Sequence, residues 1–323
     1  MKLNMKKQIS KTGCLQSGVM TAAMAFIMSP TSADAEILIS ENLSLSGFVD
    51  MSAGSTDSDD PDVGTSEWYG LDQFELDFMY EYDPSLNARV DINWLSGDKV
   101  DLEQAFFTYS MGNGFSITAG RFLSAIGWEA AEPVDMYQYS YGTSVKYPGY
   151  HNGIALGYDT EMFGLYGSII DDIWAEDTVG DAEELGYELQ LSLTPIEGFT
   201  TKIQYASQDK GAYDKELFNV WASYEIGSLL VAAEFDSYDG WNAPGVDGDG
   251  WLVMGNYGFT DNLGLTLRYS ENDGDDYDAS DFTISPGYVF TDNIAGLIEY
   301  KHTDYDEGGF DEDSIAVEVL FTF

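Results

Sequence analysis

The sequence predicts an all-β fold, a transmembrane up-and-down antiparallel β-barrel of about 16 strands, with 14 as the alternative count. Three observations carry this reading. Apolar and polar residues alternate with period two, short and long connections alternate along the chain, and aromatic residues gather at strand ends.

The alternation is clearest in "LGYELQLSLT", where Leu185, Tyr187, Leu189, Leu191 and Leu193 share one face while Glu188, Gln190 and Ser192 share the other. "FELDFMY" sets Phe74, Leu76 and Phe78 against Glu75 and Asp77, and "ARVDINW" sets Val90, Ile92 and Trp94 against Arg89, Asp91 and Asn93. "LLVAAEFD" and "LGLTLRYS" repeat the pattern around Glu234 and Arg268. The stretches Val100 to Tyr109 and Phe115 to Phe122 alternate less cleanly, which leaves the strand count open.

A soluble sandwich and a membrane barrel both produce such stripes. The connections separate them. Short ones ("YDPSLN", "MGNG", "DTEMFG", "TPIEG", "EIGS" and two copies of "FTDN") are interleaved with longer ones, such as Ser52 to Tyr69, Phe122 to Asn152 and Ser237 to Gly250. "SGDK" at Ser96 to Lys99 is short where the pattern asks for length. Short periplasmic turns and long extracellular loops are expected of a barrel inserted from one side. Tyr80, Tyr158, Phe163 and Tyr257 lie beside the short turns and Trp94, Trp174, Phe235 and Trp251 near the long connections, as two girdles require. The chain ends on Ile315, Val317, Val319, Phe321 and Phe323, a stripe with no later segment to cover it. Lipid covers it, provided that this strand pairs with the first one near Leu43 to Met51.

Composition agrees. The 323 residues include 57 acidic and 13 basic side chains, a formal charge of -44, which repels nucleic acid. Residues 1–35 read as a signal peptide: Lys2, Lys6, Lys7 and Lys11, an apolar stretch from Val19 to Met28, then Ala33 and Ala35 before an expected cut at Glu36. Processing leaves 9 basic against 56 acidic residues and no cysteine, because Cys14 precedes the cut. Residues 36–323 then form a single barrel domain.

The stretches "SGFVD", "LEQAFFTY" and "AGRFLSAIGWEAAEP", together with the terminal Phe323, resemble the OmpL-like β-barrel porins of Gram-negative outer membranes. The resemblance spans Glu36 to Phe323. It implies an outer-membrane diffusion channel, and it makes Phe323 part of the signal read by the assembly machinery. By analogy with general porins, it also implies an inward constriction loop at about 122–152, after the fifth strand, and a homotrimer.

On this loop the expected constriction residues are Arg121, Glu129, Glu132, Asp135 and Lys146. The expected lumen charges are Glu75, Asp77, Arg89, Asp91, Glu188, Lys202, Glu234, Arg268, Glu299, Lys301 and Glu318. Acids outnumber bases, so cations are favoured. No cofactor and no metal site is expected. Loose Ca²⁺ or Mg²⁺ binding at acidic loops such as "DSDDPD", bridging to lipopolysaccharide, is the alternative to a merely solvated rim. Small hydrophilic solutes and cations are the expected partners. A non-conducting barrel with adhesive acidic loops is the competing function. A hydrolase using His151 or His302 is a third, for which no motif speaks.

Overall fold

The computed structural model describes residues 37–60, 62–95, 99–174, 184–241, 243–275, 277–306 and 309–323. The expected signal peptide and its cut lie outside the described residues. A two-residue strand, β1 (Ile37–Leu38), precedes sixteen longer ones. These are β2 (Leu43–Ser58), β3 (Thr65–Asp83), β4 (Leu86–Leu95), β5 (Lys99–Gly112), β6 (Phe115–Leu123), β7 (Tyr150–Asp159), β8 (Phe163–Ile170) and β9 (Gly186–Leu193). Then follow β10 (Phe199–Asp209), β11 (Asp214–Ile226), β12 (Leu229–Asp239), β13 (Gly248–Gly258), β14 (Leu263–Gly274), β15 (Asp278–Thr291), β16 (Ile294–Tyr305) and β17 (Phe310–Thr322).

From β2 onward each strand is antiparallel to its successor, and β17 returns to β2 in a register running from Glu312↔Ser58 to Thr322↔Phe48. The closure extends to the last residue: the Phe323 amide donates to the Gly47 carbonyl and the Gly47 amide to the Phe323 carbonyl, each at 3.0 Å. Among the described residues no edge is left to hydrocarbon.

The stripes face as the period demands. Ile315 is 55% exposed, and Val317, Val319 and Phe321 are exposed with it, whereas Ala316 and Glu318 are buried. Apolar outside and polar inside inverts the order of a soluble protein, and a bilayer accounts for it. No helix among the described residues is long and apolar enough to cross a membrane, so the crossing falls to the strands.

Two features differ from the sequence reading. First, many of the long connections are themselves ladder. Pairing continues to Asp57↔Thr65, Asp273↔Asp278 and Tyr305↔Phe310, so β2 and β3 reach 16 and 19 residues where about 9 to 11 cross a bilayer. The acidic hairpins stand beyond the membrane as sheet. Second, Trp174 is no girdle residue: its indole meets Trp241 edge to face, with ring centroids 4.5 Å apart, and donates to the Lys146 carbonyl at 3.2 Å. The girdle pairs Tyr257–Phe259 (5.0 Å) and Trp251–Tyr269 (5.2 Å) do form.

Candidate pore constriction

Residues 124–149, between β6 and β7, enter the barrel and lie against one wall. Gly127 allows the entry. Its φ is +112°, and a Cβ there would meet the Tyr147 ring at 2.6 Å. At the far side, a Cβ on Gly250 of β13 would meet Ser144 at 2.8 Å, so the loop touches the wall backbone.

The anchors are wall carboxylates that accept loop donors. Trp128 N–H donates to Glu234 at 2.8 Å, and Tyr147 OH donates to the same carboxylate. The amides of Tyr139 and Ser140 donate to Glu299 at 2.8 and 3.1 Å. Thr143 N–H donates to Asp281 at 2.8 Å, and Ser124 Oγ to Glu188. Charge-assisted bonds of this kind contribute about 1.5–3 kcal/mol each. Glu188, Glu234 and Glu299 do point into the lumen, but the loop covers them.

Glu129 is likewise buried. Arg268 Nη1 donates to its Oε1 at 2.7 Å and the Gly142 amide to its Oε2 at 2.9 Å. Lys146 is only 2% exposed, with its Nζ 4.1 Å from the Tyr277 ring centroid and within 5.5 Å of the Tyr238 and Trp241 centroids. It anchors the loop and does not line the opening. Arg121 is also misplaced by the sequence reading. Phe122 turns inward, so the adjacent Arg121 turns outward, where its Nε donates to the Leu102 carbonyl at 3.1 Å. The strand period decides it.

The opposite wall stays open. A cavity of about 540 Å³ runs beside the loop, with Leu95 at the long-connection rim and Asp159 and Gly164 at the short-turn rim among its lining residues. Glu132 and Asp135 of the loop line it together with Arg89, Glu103, Gln104, Gln73 and Tyr150, and Glu132 accepts from Tyr150 OH at 2.7 Å and from Gln73 Nε2 at 3.2 Å. Arg89 is tied down, with its Nε 2.7 Å from Asp91 and its Nη2 3.3 Å from Asp77. Lys202 lies over the Trp221 ring at 5.3 Å, and Lys301 donates to the Tyr141 carbonyl at 2.9 Å. Burial and the neighbouring Glu103 push the Glu132 carboxyl up to about 7, and burial raises that of Asp135. Glu318 faces inward on β17, away from this cavity.

Glu103 escaped the sequence reading because of a bulge. Asp91 pairs with Gln104 and Ile92 with Leu102, so Glu103 is the extra residue on β5. Its carboxylate accepts from Asn93 Nδ2, and its period-two phase is lost at that point. The imperfect alternation of Val100 to Tyr109 was the signal.

A family model described as "Putative beta-barrel porin-2, OmpL-like" matches residues 69–323. The chain belongs to this family. Solved porins share the fold of this OmpL-like porin at low identity. Salmonella typhi OmpF in complex with daunomycin aligns at TM-score 0.70 and 15% identity, covering 89% of this chain and 100% of that one. The anion-selective porin from Comamonas acidovorans aligns at 0.65 and 12%, covering 87% and 99%. Vibrio cholerae OmpT, folded in vitro and described as a trimer form, aligns at 0.62 and 13%, covering 88% and 100%. No curated protein sequence matches this chain at a significant level. The OmpL-like porin is thus an outer-membrane channel protein.

Proposed function

We propose that this porin passes ions and small hydrophilic solutes by passive diffusion and prefers cations. The observation that carries the reading is the open cavity beside the loop, where Glu103, Glu132 and Asp135 face the path while Arg89 is held by Asp77 and Asp91. Water-filled space lined by unopposed carboxylates concentrates cations and repels anions without any chemical step. The fold itself does not set this preference, since an anion-selective porin shares it. The charges at the constriction do.

The lining of the cavity reaches both rims, which supports conduction over a plugged barrel that serves adhesion. Single-channel steps in planar bilayers test this: discrete openings are expected, and a silent membrane holding folded barrel would contradict it. A homotrimer is in keeping with the OmpT trimer form. The acidic hairpins, including Asp239, Asp247, Asp249 and Asp273, would meet lipopolysaccharide through bridging Ca²⁺ or Mg²⁺. Phe323, paired with Gly47 at the closing seam and 6.5 Å from the Phe74 ring, would present the assembly signal.

A further inference from the structure

Three carboxylates from three separate elements converge on the open side of the pore. One oxygen each from Glu75 on β3, Glu103 on β5 and Glu132 on the loop lie within 4.8 Å of one another. Like charges at that spacing repel strongly in a partly buried place. A second trio, Glu75, Asp77 and Asp91, is equally close, but Arg89 already bonds Asp77 and both oxygens of Asp91. The first trio has no such cation: among the described residues none of its members pairs with a lysine or arginine. It receives only neutral donors. Gln73 Nε2 donates to Glu75 and to Glu132 at 3.2 Å each, and Tyr150 OH to Glu132 at 2.7 Å and to Glu103 at 3.2 Å.

A separate observation points to a ligand. Two buried oxygens at this spot have no hydrogen-bond partner: Glu75 Oε1, on a side chain 1% exposed, and Asn93 Oδ1, on one that is fully buried. Asn93 is directed at the cluster, because its amide nitrogen meets Glu103 and its backbone stands opposite Glu75 in the β3–β4 register. Each unsatisfied buried oxygen costs about 1–3 kcal/mol.

We propose that Glu75, Glu103 and Glu132 bind a hard divalent cation, with Asn93 supplying a neutral oxygen. Calcium is the better fit. It accepts six to eight oxygens at about 2.3–2.6 Å in irregular geometry, so opposed ligands stand about 4.6–5.2 Å apart, whereas magnesium demands a near-ideal octahedron. A half-turn of the Asn93 amide exchanges Nδ2 for Oδ1 on the side facing Glu103, and water completes the shell. The ion ties the loop to β3 and β5, the wall opposite its other anchors. One consequence rests on the cation preference proposed above: an occupied site replaces three negative charges by one, so calcium weakens that preference. The site itself does not depend on it.

Calorimetric titration of CaCl₂ into the full-length, detergent-folded barrel, stripped with EDTA, tests the site. A saturable site is expected, weakened about tenfold or more in Glu103→Gln and in Glu132→Gln. It is expected unchanged in Asp292→Asn, in the short turn between β15 and β16, with heat-modifiable gel migration showing that every variant is folded. No saturable site in the wild type, or one that survives both glutamine substitutions, overturns the proposal. Saturable binding in a channel that prefers anions sinks the functional reading and leaves the site standing. A cation-preferring channel without saturable binding does the reverse.

Discussion

Arg268 on β14 and Glu129 on the inward loop meet at 2.7 Å, and both side chains are out of contact with water. The carboxylate that the sequence places at the constriction is therefore neutralised and holds the loop in position. Breaking such a buried pair costs about 3–5 kcal/mol. Arg268→Ala is expected to lower the temperature of heat-modifiable unfolding and to raise open-channel noise as the loop loosens. The double variant Arg268→Met/Glu129→Gln is expected to be milder on both measures.

Glu132 and Asp135 face the path, so their removal acts on selectivity. A unit charge about 4 Å away in water is worth about 1 kcal/mol, a factor of about five in local cation occupancy. In EDTA-treated bilayers held above about pH 8, where Glu132, pushed up to about 7, is ionised, Glu132→Gln and Asp135→Asn should each lower the potassium-to-chloride permeability ratio by up to about that factor. Glu129→Gln should leave the ratio close to wild type. Equal effects from all three would show that the loop lies differently.

This contrast marks how far the sequence could be read. The barrel was legible because period two converts directly into lipid and lumen faces: Tyr187, Leu189 and Ile315 are exposed while Glu188 and Glu318 are buried, as their positions required. Which lumen charge faces solute was not legible, because it depends on where the loop lies down. Glu188, Glu234 and Glu299 have the same local pattern as Glu75, yet those three accept loop donors while Glu75 lies beside the loop carboxylate Glu132. Glu103 was hidden by the bulge that shifts its phase, and Arg121 was assigned by its closeness to the loop in sequence when its strand phase turns it outward. Hairpin length was underestimated because Asp- and Gly-rich stretches read as loop, although their backbones stay paired outside the membrane.

Lys146 tests the far anchor of the loop. Desolvated cation–π contacts contribute about 2 kcal/mol, and this ammonium lies among three rings. Lys146→Met keeps most of the side-chain length and removes the charge. Proteolysis within 124–149 should speed up severalfold while the barrel remains heat-modifiable, and open-channel noise should rise. Unchanged proteolysis would remove Lys146 from the anchoring set.

The extracellular rim gives a pH prediction. Burial works against the Asp172 carboxylate, but the Trp174 amide at 3.1 Å and the ammonium groups of Lys210 (3.1 Å) and Lys215 (3.3 Å) hold it below its usual range. A carboxyl depressed in the folded state adds stability above its ordinary value near 4 and loses it as pH falls through the depressed value. The clamp should therefore persist at pH 5 and release only below about 4. Difference fluorescence between wild type and Trp174→Phe reports it, and Asp172→Asn should show the released signal already at neutral pH. A transition near pH 6 would assign the signal to another group.

The most direct measurement is the reversal potential of single channels under a KCl gradient, with EDTA on both sides. Unopposed carboxylates at Glu103, Glu132 and Asp135 predict a reversal potential displaced toward the potassium equilibrium value, a permeability ratio for potassium over chloride above one. Displacement toward the chloride value would contradict the placement of these charges on the conducting path.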